Sequence, residues 1–292
     1  MTPDLVETVF SLKNENDTEE SVELGKISQA SCTKPLSNPS MDTMDAVNPS
    51  WNVVTIGRGS FASVCILTGR PVAFKQVLFP ERALELKAEF EAICKLYDLC
   101  NSDSFFAIPR PLACFDPLLP NSYISPIVSP SRQGRARPLV SHGDFKALGL
   151  PNAAYAMTQV LPLPLSTAQL IRTLFYPPGQ KEATLPTLCR LCFGRVLDVP
   201  TTNGRPTRFF NSANFPLDAA RYLRLVETGN AEIYNKIEDI AYGMGEMLGR
   251  LHWFGGYDGR DIEFVMGGFS FSGVSMNLID FNQVCCCCFK HG

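Results

Sequence analysis

The stretch Ile56-Gly57-Arg58-Gly59-Ser60-Phe61-Ala62-Ser63-Val64, with Val72-Ala73-Phe74-Lys75 after it, decides how this chain is read. Glycines at 57 and 59 leave backbone N–H groups free to approach phosphate oxygens, and the lysine closing the next apolar run adds a fixed positive charge. An apolar strand follows the glycines, where a dinucleotide-binding fold would open a helix. No Gly-x-x-x-x-Gly-Lys-Ser/Thr run occurs, which sets aside a P-loop hydrolase. The stretch is a nucleotide-holding signature carried between strands.

Working outward, Trp51 to Ile56 reads as the strand entering the glycine turn and Ala62 to Leu67 as the strand leaving it. Thr68-Gly69-Arg70 connects to a third strand over Pro71 to Leu78. Glu81 to Leu99 carries Leu84, Ala88, Ala92, Leu96 and Leu99, widened by Leu86, Phe90 and Ile93, and predicts a helix. Residues 117–151 are rich in Pro, Ser and Gly and predict a long exposed insertion, with the basic run Arg132 to Arg137 a solvated loop. Ala153 to Val160 is a further strand, stopped by Leu161-Pro162-Leu163-Pro164 as a linker between two lobes would stop it.

Residues 166–210 show no single pattern. Ile233 to Trp253 predicts a long helix with Ile237, Ile240, Ala241, Met244, Met247, Leu248 and Leu251 on its apolar face, ended by Gly255-Gly256. Ile262 to Met266 and Val274 to Ile279 are short strands around a Gly- and Ser-rich turn. The first 50 residues are polar and aperiodic, and predict a disordered tail.

With 292 residues, 45% of them hydrophobic, the chain can bury the core of two lobes. A net charge of -3 offers no electrostatic footprint for nucleic acid or an anionic membrane. No run approaches the apolar length of a membrane span, and the acidic start Met1-Thr2-Pro3-Asp4-Leu5-Val6-Glu7 is unlike a secretory leader. These features imply an intracellular protein, cytoplasmic or nuclear. The 11 cysteines are then expected as free thiols. Cys189-Arg190-Leu191-Cys192 has metal-ligand spacing, and Cys285 to Cys288 run together near His291, but a zinc site needs two well-spaced pairs and only one exists. A zinc-binding regulatory module is therefore the weakest reading.

The order of glycine loop, strand lysine, helix, interlobe strand, long helix, catalytic-type loop and Asp-Phe pair resembles the protein-kinase-like superfamily over residues 51–284. Asn214-Phe215-Pro216-Leu217, Met244-Gly245-Glu246, Leu251-His252-Trp253, Asp261-Ile262-Glu263-Phe264-Val265 and Ile279-Asp280-Phe281-Asn282 look like a fungal family of kinase-like proteins of unknown function, some loosely labelled zinc-finger proteins. The resemblance implies an α+β, bilobal protein-kinase-like fold. It divides the chain into the tail at 1–50, a small β-rich N-lobe at 51–160 and an incomplete helical C-lobe at 161–292. The kinase-like pattern continues beyond an Asp-Phe-Gly position, whereas this chain stops ten residues after Asn282. A truncated large lobe is thus expected, with apolar surface of the long helix left for a protein partner to cover.

Carried over position by position, the resemblance assigns nucleotide binding to Gly57, Gly59, Ser60, Val64, Ala73 and Lys75, with Ala62 in place of a third glycine. Met157, Gln159 and Val160 would contact the nucleotide from the interlobe strand. Lys75 should pair with a helix glutamate, and Glu89, followed by Ala92, Ile93 and Leu96, fits better than Glu85 or Glu91. In the segment Asp258-Gly259-Arg260-Asp261-Ile262-Glu263, Asp258 would face the attacking hydroxyl and Arg260 the transferred phosphate. Glu263, where an asparagine is usual, and Asp280 would hold Mg2+. The usual histidine before the arginine is missing, and Asn282 replaces a glycine in a position where Asn tolerates positive φ.

Two histidine-bearing segments are set aside. Ser141-His142-Gly143-Asp144-Phe145 resembles a small-molecule-kinase catalytic loop but precedes the interlobe strand, and predicts an exposed turn. His252, beside Trp253 on the long helix, reads as packed. No Gly-x-Ser-x-Gly elbow supports hydrolase chemistry. The expected activity is ATP- and Mg2+-dependent transfer of phosphate to a hydroxyl. The competing expectation is a kinase-like binding or scaffold protein, a pseudokinase, without turnover.

Overall fold

The computed structural model describes residues 53–119, 121–126, 140–176, 184–197, 213–270, 273–281 and 285–286. Trp51, Asn52, the polar tail, the Arg132 to Arg137 run, Asn282, Cys287, Cys288 and His291 lie outside them. The fold is mixed α and β, with an antiparallel sheet first and a second, mixed sheet among helices later.

Strands β1 (Val53–Arg58), β2 (Ala62–Leu67) and β3 (Val72–Val77) form a meander, because the Gly59 and Gly69 turns reverse the chain between apolar runs. The first turn is closed by the Gly59 N–H on the Ala62 carbonyl at 2.9 Å. With β4 (Pro111–Phe115) and β5 (Ala154–Thr158) they make a five-stranded sheet in the order β1-β2-β3-β5-β4, antiparallel throughout. Helix α1 (Ala83–Cys100) packs Leu86, Phe90, Ile93 and Leu96 beneath it, the stripe its periodicity predicts.

The expected insertion at 117–151 is exposed only in part. Its end folds into helix α2 (His142–Ala147), begun by a capping box in which the Ser141 N–H and hydroxyl both meet the Asp144 carboxylate. Phe145 is buried against Phe74 and Phe115, while Arg70 pairs with Asp144 at 2.7 Å. The Ser141–Phe145 segment is therefore a packed cap on the sheet's outer face and not the exposed turn expected from its polarity.

The later part is less helical than the resemblance implies. Helices α3 (Leu165–Phe175), α4 (Ala219–Thr228) and α5 (Ile237–Arg250) flank a four-stranded sheet of β6 (Leu188–Leu191), β7 (Asn214–Leu217), β9 (Glu263–Phe269) and β10 (Gly273–Ile279), with β8 (Tyr257–Asp258) lying apart. Its order is β10-β9-β6-β7, with β6 and β7 parallel. The predicted long helix starts at Ile237 because Tyr234 and Lys236 are extended, and it runs on through a π-helical turn, Leu251–Gly255. Of the apolar face, Ile240, Met247 and Leu251 are buried, Ile237, Met244 and Leu248 are half-buried, and Ala241 is exposed, as are Tyr242, Trp253 and Phe254 nearby.

The two sheets are joined at backbone level. The Gly268 N–H bonds the Leu161 carbonyl at 2.8 Å, and a Cβ on Gly268 would collide with the Pro162 carbonyl oxygen. Only glycine lets the linker lie against β9 this closely. A second junction is Ala107, whose N–H donates to the Met276 carbonyl at 3.0 Å and whose carbonyl accepts from the Leu278 N–H at 2.9 Å.

Candidate functional site

The strand register brings the glycine-loop residues and the lysine to one line across the first sheet. Gly57 lies opposite Val64, Val64 opposite Lys75, and Lys75 opposite Tyr155. Ala73, two residues before Lys75, lies opposite Met157 and shares its face. Gln159 and Val160 continue from β5 into the linker, the Gln159 N–H donating to the Pro71 carbonyl at 3.0 Å. Ser60 and Gly59 are exposed at the turn, whereas Phe61 is buried, its ring 5.6 Å from the Lys75 ammonium.

Lys75 is 7% exposed and reaches two carboxylates: Glu89 Oε1 on α1 at 2.6 Å and Asp280 Oδ1 after β10 at 3.3 Å. Of the glutamates weighed on the helix, Glu85 turns to Arg82 at 2.6 Å and Glu91 lies near Lys87, both pairs exposed, so Glu89 alone faces the lysine. Tyr155 donates its hydroxyl to the same Glu89 oxygen at 3.1 Å. Burial pushes the Glu89 carboxyl up, against the lowering by the Lys75 ammonium and the Tyr155 hydroxyl. The Tyr155 phenol is raised well above its ordinary value, first by burial and then by Glu89. Lys75 thus sits between two carboxylates, the buried Glu89 and the part-exposed Asp280.

Asp280 follows the last residue of β10, and the pairing of Ile279 with Glu263 sets Asp280 one position beyond the start of β9. Its φ is 64°, a left-handed conformation uncommon for a residue with a side chain. The positive φ therefore falls on the aspartate, while the expected one at Asn282 lies outside the described residues. The Asp280 side chain is 38% exposed, which leaves it accessible.

Asp258 ends β8, with its carboxylate 3.2 Å from the exposed Arg260 guanidinium. The backbone of Cys285 pairs opposite Asp258. The Gly259 N–H donates to His252 Nε2 at 3.4 Å, which ties the loop after β8 to the turn that ends the long helix. Glu263 is engaged at both oxygens: Arg190 reaches Oε1 at 2.7 Å, and Asn214 Nδ2 donates to Oε2 at 3.0 Å. Burial pushes the Glu263 carboxyl up; Arg190 opposes this and Asp280 adds to it.

A hard divalent cation takes oxygen ligands, often one or two carboxylates together with phosphate oxygens. Asp280 fits such a role through its exposed carboxylate. Glu263 is the less available of the two, since each of its oxygens already accepts from a protein donor, Arg190 or Asn214. Among the described residues no group of three or more His, Cys, Asp or Glu side chains is assembled to hold a metal. Cys189 is fully buried and burial raises its thiol strongly, while the half-buried Cys192 thiol is raised for the same first cause. No described helix is long and apolar enough to cross a membrane.

Sequence reasoning missed Tyr155, Arg190 and the loop-holding role of His252. Asn214 stood in a motif quoted for its resemblance, but with no role. Each acts on a residue already singled out, across a distance of 7 to 73 positions in sequence, so no local spacing could reveal it.

No protein-family model and no curated protein matches the chain. Among solved structures, one match is described as the structure of the GDP and kanamycin complex of APH(2")-IIia, with 11% identity over 80% of this chain and 68% of that one, at a TM-score of 0.27. A superposition that loose carries no argument about this chain, and the reading rests on its own geometry.

Proposed function

We propose that the chain is a kinase-like phosphotransferase that takes ATP with Mg2+ and acts on a hydroxyl acceptor. The observation that carries the reading is the buried Lys75 between Glu89 and Asp280, joining the third strand, the first helix and the residue after the last hairpin. That lysine–glutamate pair, with an aspartate able to hold metal, is the arrangement protein kinases need in place for transfer.

In this reading Lys75 and the Gly57–Ser60 turn, whose Gly59 N–H is kept by the Ala62 carbonyl, hold the phosphates, and Ala73, Val64 and Met157 form the apolar surface beside the base. Asp280 would hold Mg2+, which supplies neutralisation of the phosphate charge. Asp258 orients the acceptor hydroxyl and accepts its proton as the oxygen bonds to the γ-phosphorus and the bond to the β-phosphate oxygen breaks, releasing ADP. Arg260, beside Asp258, meets the charge of the transferred group.

Calorimetric titration with Mg-ATP, paired with transfer from γ-labelled ATP to hydroxyl acceptors, tests this. Binding that Lys75→Met abolishes, and transfer that Asp258→Ala abolishes while binding persists, are the expected results. Binding without transfer to any acceptor would make the chain a pseudokinase, and no binding at millimolar Mg-ATP would remove the nucleotide reading altogether.

A further inference from the structure

Tyr155 has no place in the functional reading above, yet it touches the ion pair on which that reading stands. It lies on β5 directly opposite Lys75 on β3, so both side chains leave the same face of the sheet. Its ring centroid is 5.7 Å from that of Phe90, the residue after Glu89 on α1, and only 1% of the residue is exposed. The hydroxyl is thereby given a fixed direction. It donates to Glu89 Oε1 at 3.1 Å, the same oxygen that takes the Lys75 ammonium at 2.6 Å.

Two donors converge on one carboxylate oxygen, while the buried Glu89 Oε2 has no hydrogen-bond partner among the described residues. A phenylalanine would fill the same space against Phe90, and a buried hydroxyl is costly without an acceptor, so the hydroxyl is the atom that needs explaining. The charged and titratable groups facing Glu89 are Lys75 from β3, Tyr155 from β5 and Asp280 after β10. Burial pushes the Glu89 carboxyl up, Lys75 and then the Tyr155 hydroxyl pull it down, and Asp280 adds a push. The phenol is itself raised well above its ordinary value, first by burial, so it stays a neutral donor while Glu89 titrates.

We infer that Tyr155 is a positioning residue for Lys75, acting through Glu89: its hydroxyl fixes the carboxylate oxygen that holds the lysine ammonium in place for the phosphates of a nucleotide. The inference rests on the nucleotide reading for the phosphates only, because the chain Tyr155–Glu89–Lys75 is complete in the free protein. The same bond helps to keep Glu89 charged, so that the lysine meets an ion and not a neutral acid.

The test follows denaturant unfolding of the full chain across pH for the native protein and Tyr155→Phe, each also in a Glu89→Gln background, together with calorimetric titration by Mg-ATP. Without the hydroxyl the Glu89 carboxyl rises further, and the folded variant keeps its proton to higher pH. Stability that comes with a raised carboxyl is present below the ordinary value and lost as pH passes the folded one. The deficit of Tyr155→Phe is therefore expected to widen as pH rises past the native Glu89 value, by about tenfold in the unfolding constant, and then to level off. In the Glu89→Gln background it is expected to be flat, and Mg-ATP affinity is expected to fall in Tyr155→Phe. Should that variant fail to fold, 3-fluorotyrosine placed at 155, a stronger donor, is expected to displace the window toward lower pH. A deficit flat with pH in the native background, or a window unmoved by the fluorinated residue, would overturn the inference and leave Tyr155 as packing. An unchanged Mg-ATP affinity in Tyr155→Phe would overturn it as well. A native chain that binds no Mg-ATP removes the nucleotide reading, and the pH dependence then decides whether Tyr155 sets Glu89 on Lys75.

Discussion

Two charge pairs of the molecule are held in opposite ways. In the first, Lys75 and Glu89 have side chains only 9% and 2% exposed, held by a helix and two central strands of the first sheet. In the second, Asp258 and Arg260 are 39% and 80% exposed, at the end of β8 and in the loop that follows. The first arrangement is fixed before any ligand arrives, and the second remains adjustable to what it meets. A buried pair that loses one partner strands a charge, whereas a surface pair exchanges its partner for water at little cost.

The largest effect should come from breaking the buried side. Lys75→Met leaves Glu89 with only the Tyr155 hydroxyl, and should lower unfolding free energy by about 3–5 kcal/mol, read from chemical denaturation. An unchanged midpoint would mean that Glu89 simply takes up a proton at no cost, and the contrast between the two charge pairs would lose its energetic basis. Next is the junction between the two sheets. Gly268→Ala drives a methyl into the Pro162 carbonyl oxygen and should cost about 1–3 kcal/mol. Proteolysis at the linker should rise along with the loss of stability, and normal stability would show that the linker can move off β9.

The smallest change concerns Glu89 itself, because Glu89→Gln keeps the side-chain volume and an oxygen for Lys75. Burial raises the native Glu89 carboxyl above its ordinary value, so between that value and the raised one the native state binds more protons than the unfolded chain. Native stability therefore falls as pH rises through this window, and Glu89→Gln lacks that contribution. The variant should gain on the native protein as pH climbs from below 4.5, and the difference should level off once the raised value is passed. A difference that is flat with pH would show that Lys75 cancels the burial.

The part of the molecule legible in the sequence is the part governed by local rules. Glycine turns between alternating strands, and the stripe Leu86-Phe90-Ile93-Leu96 on α1, follow from spacing alone, while the pairing of Glu89 with Lys75 came from the resemblance. The resemblance supplied Asp280 and its neighbours. The second sheet was harder to read because β6 and β7 are short and parallel, so their partners are set by chain crossovers and not by adjacent turns. Cys189, one half of the metal-like Cys189–Cys192 spacing, is with Leu191 an inward residue of β6, and Arg190 between them points the other way. Polarity also misled at Ser141–Asp144, where the polar groups cap a helix and satisfy each other while Phe145 is buried.

The junctions at Ala107 and Leu161 have a mechanical consequence. One fastens the chain after α1 to β10, and the other fastens the interlobe linker to β9. Two fixed points define an axis, and swinging about that axis is the only relative movement of the sheets that keeps both sets of backbone bonds. Sliding or twisting of one sheet over the other then requires breaking main-chain hydrogen bonds first.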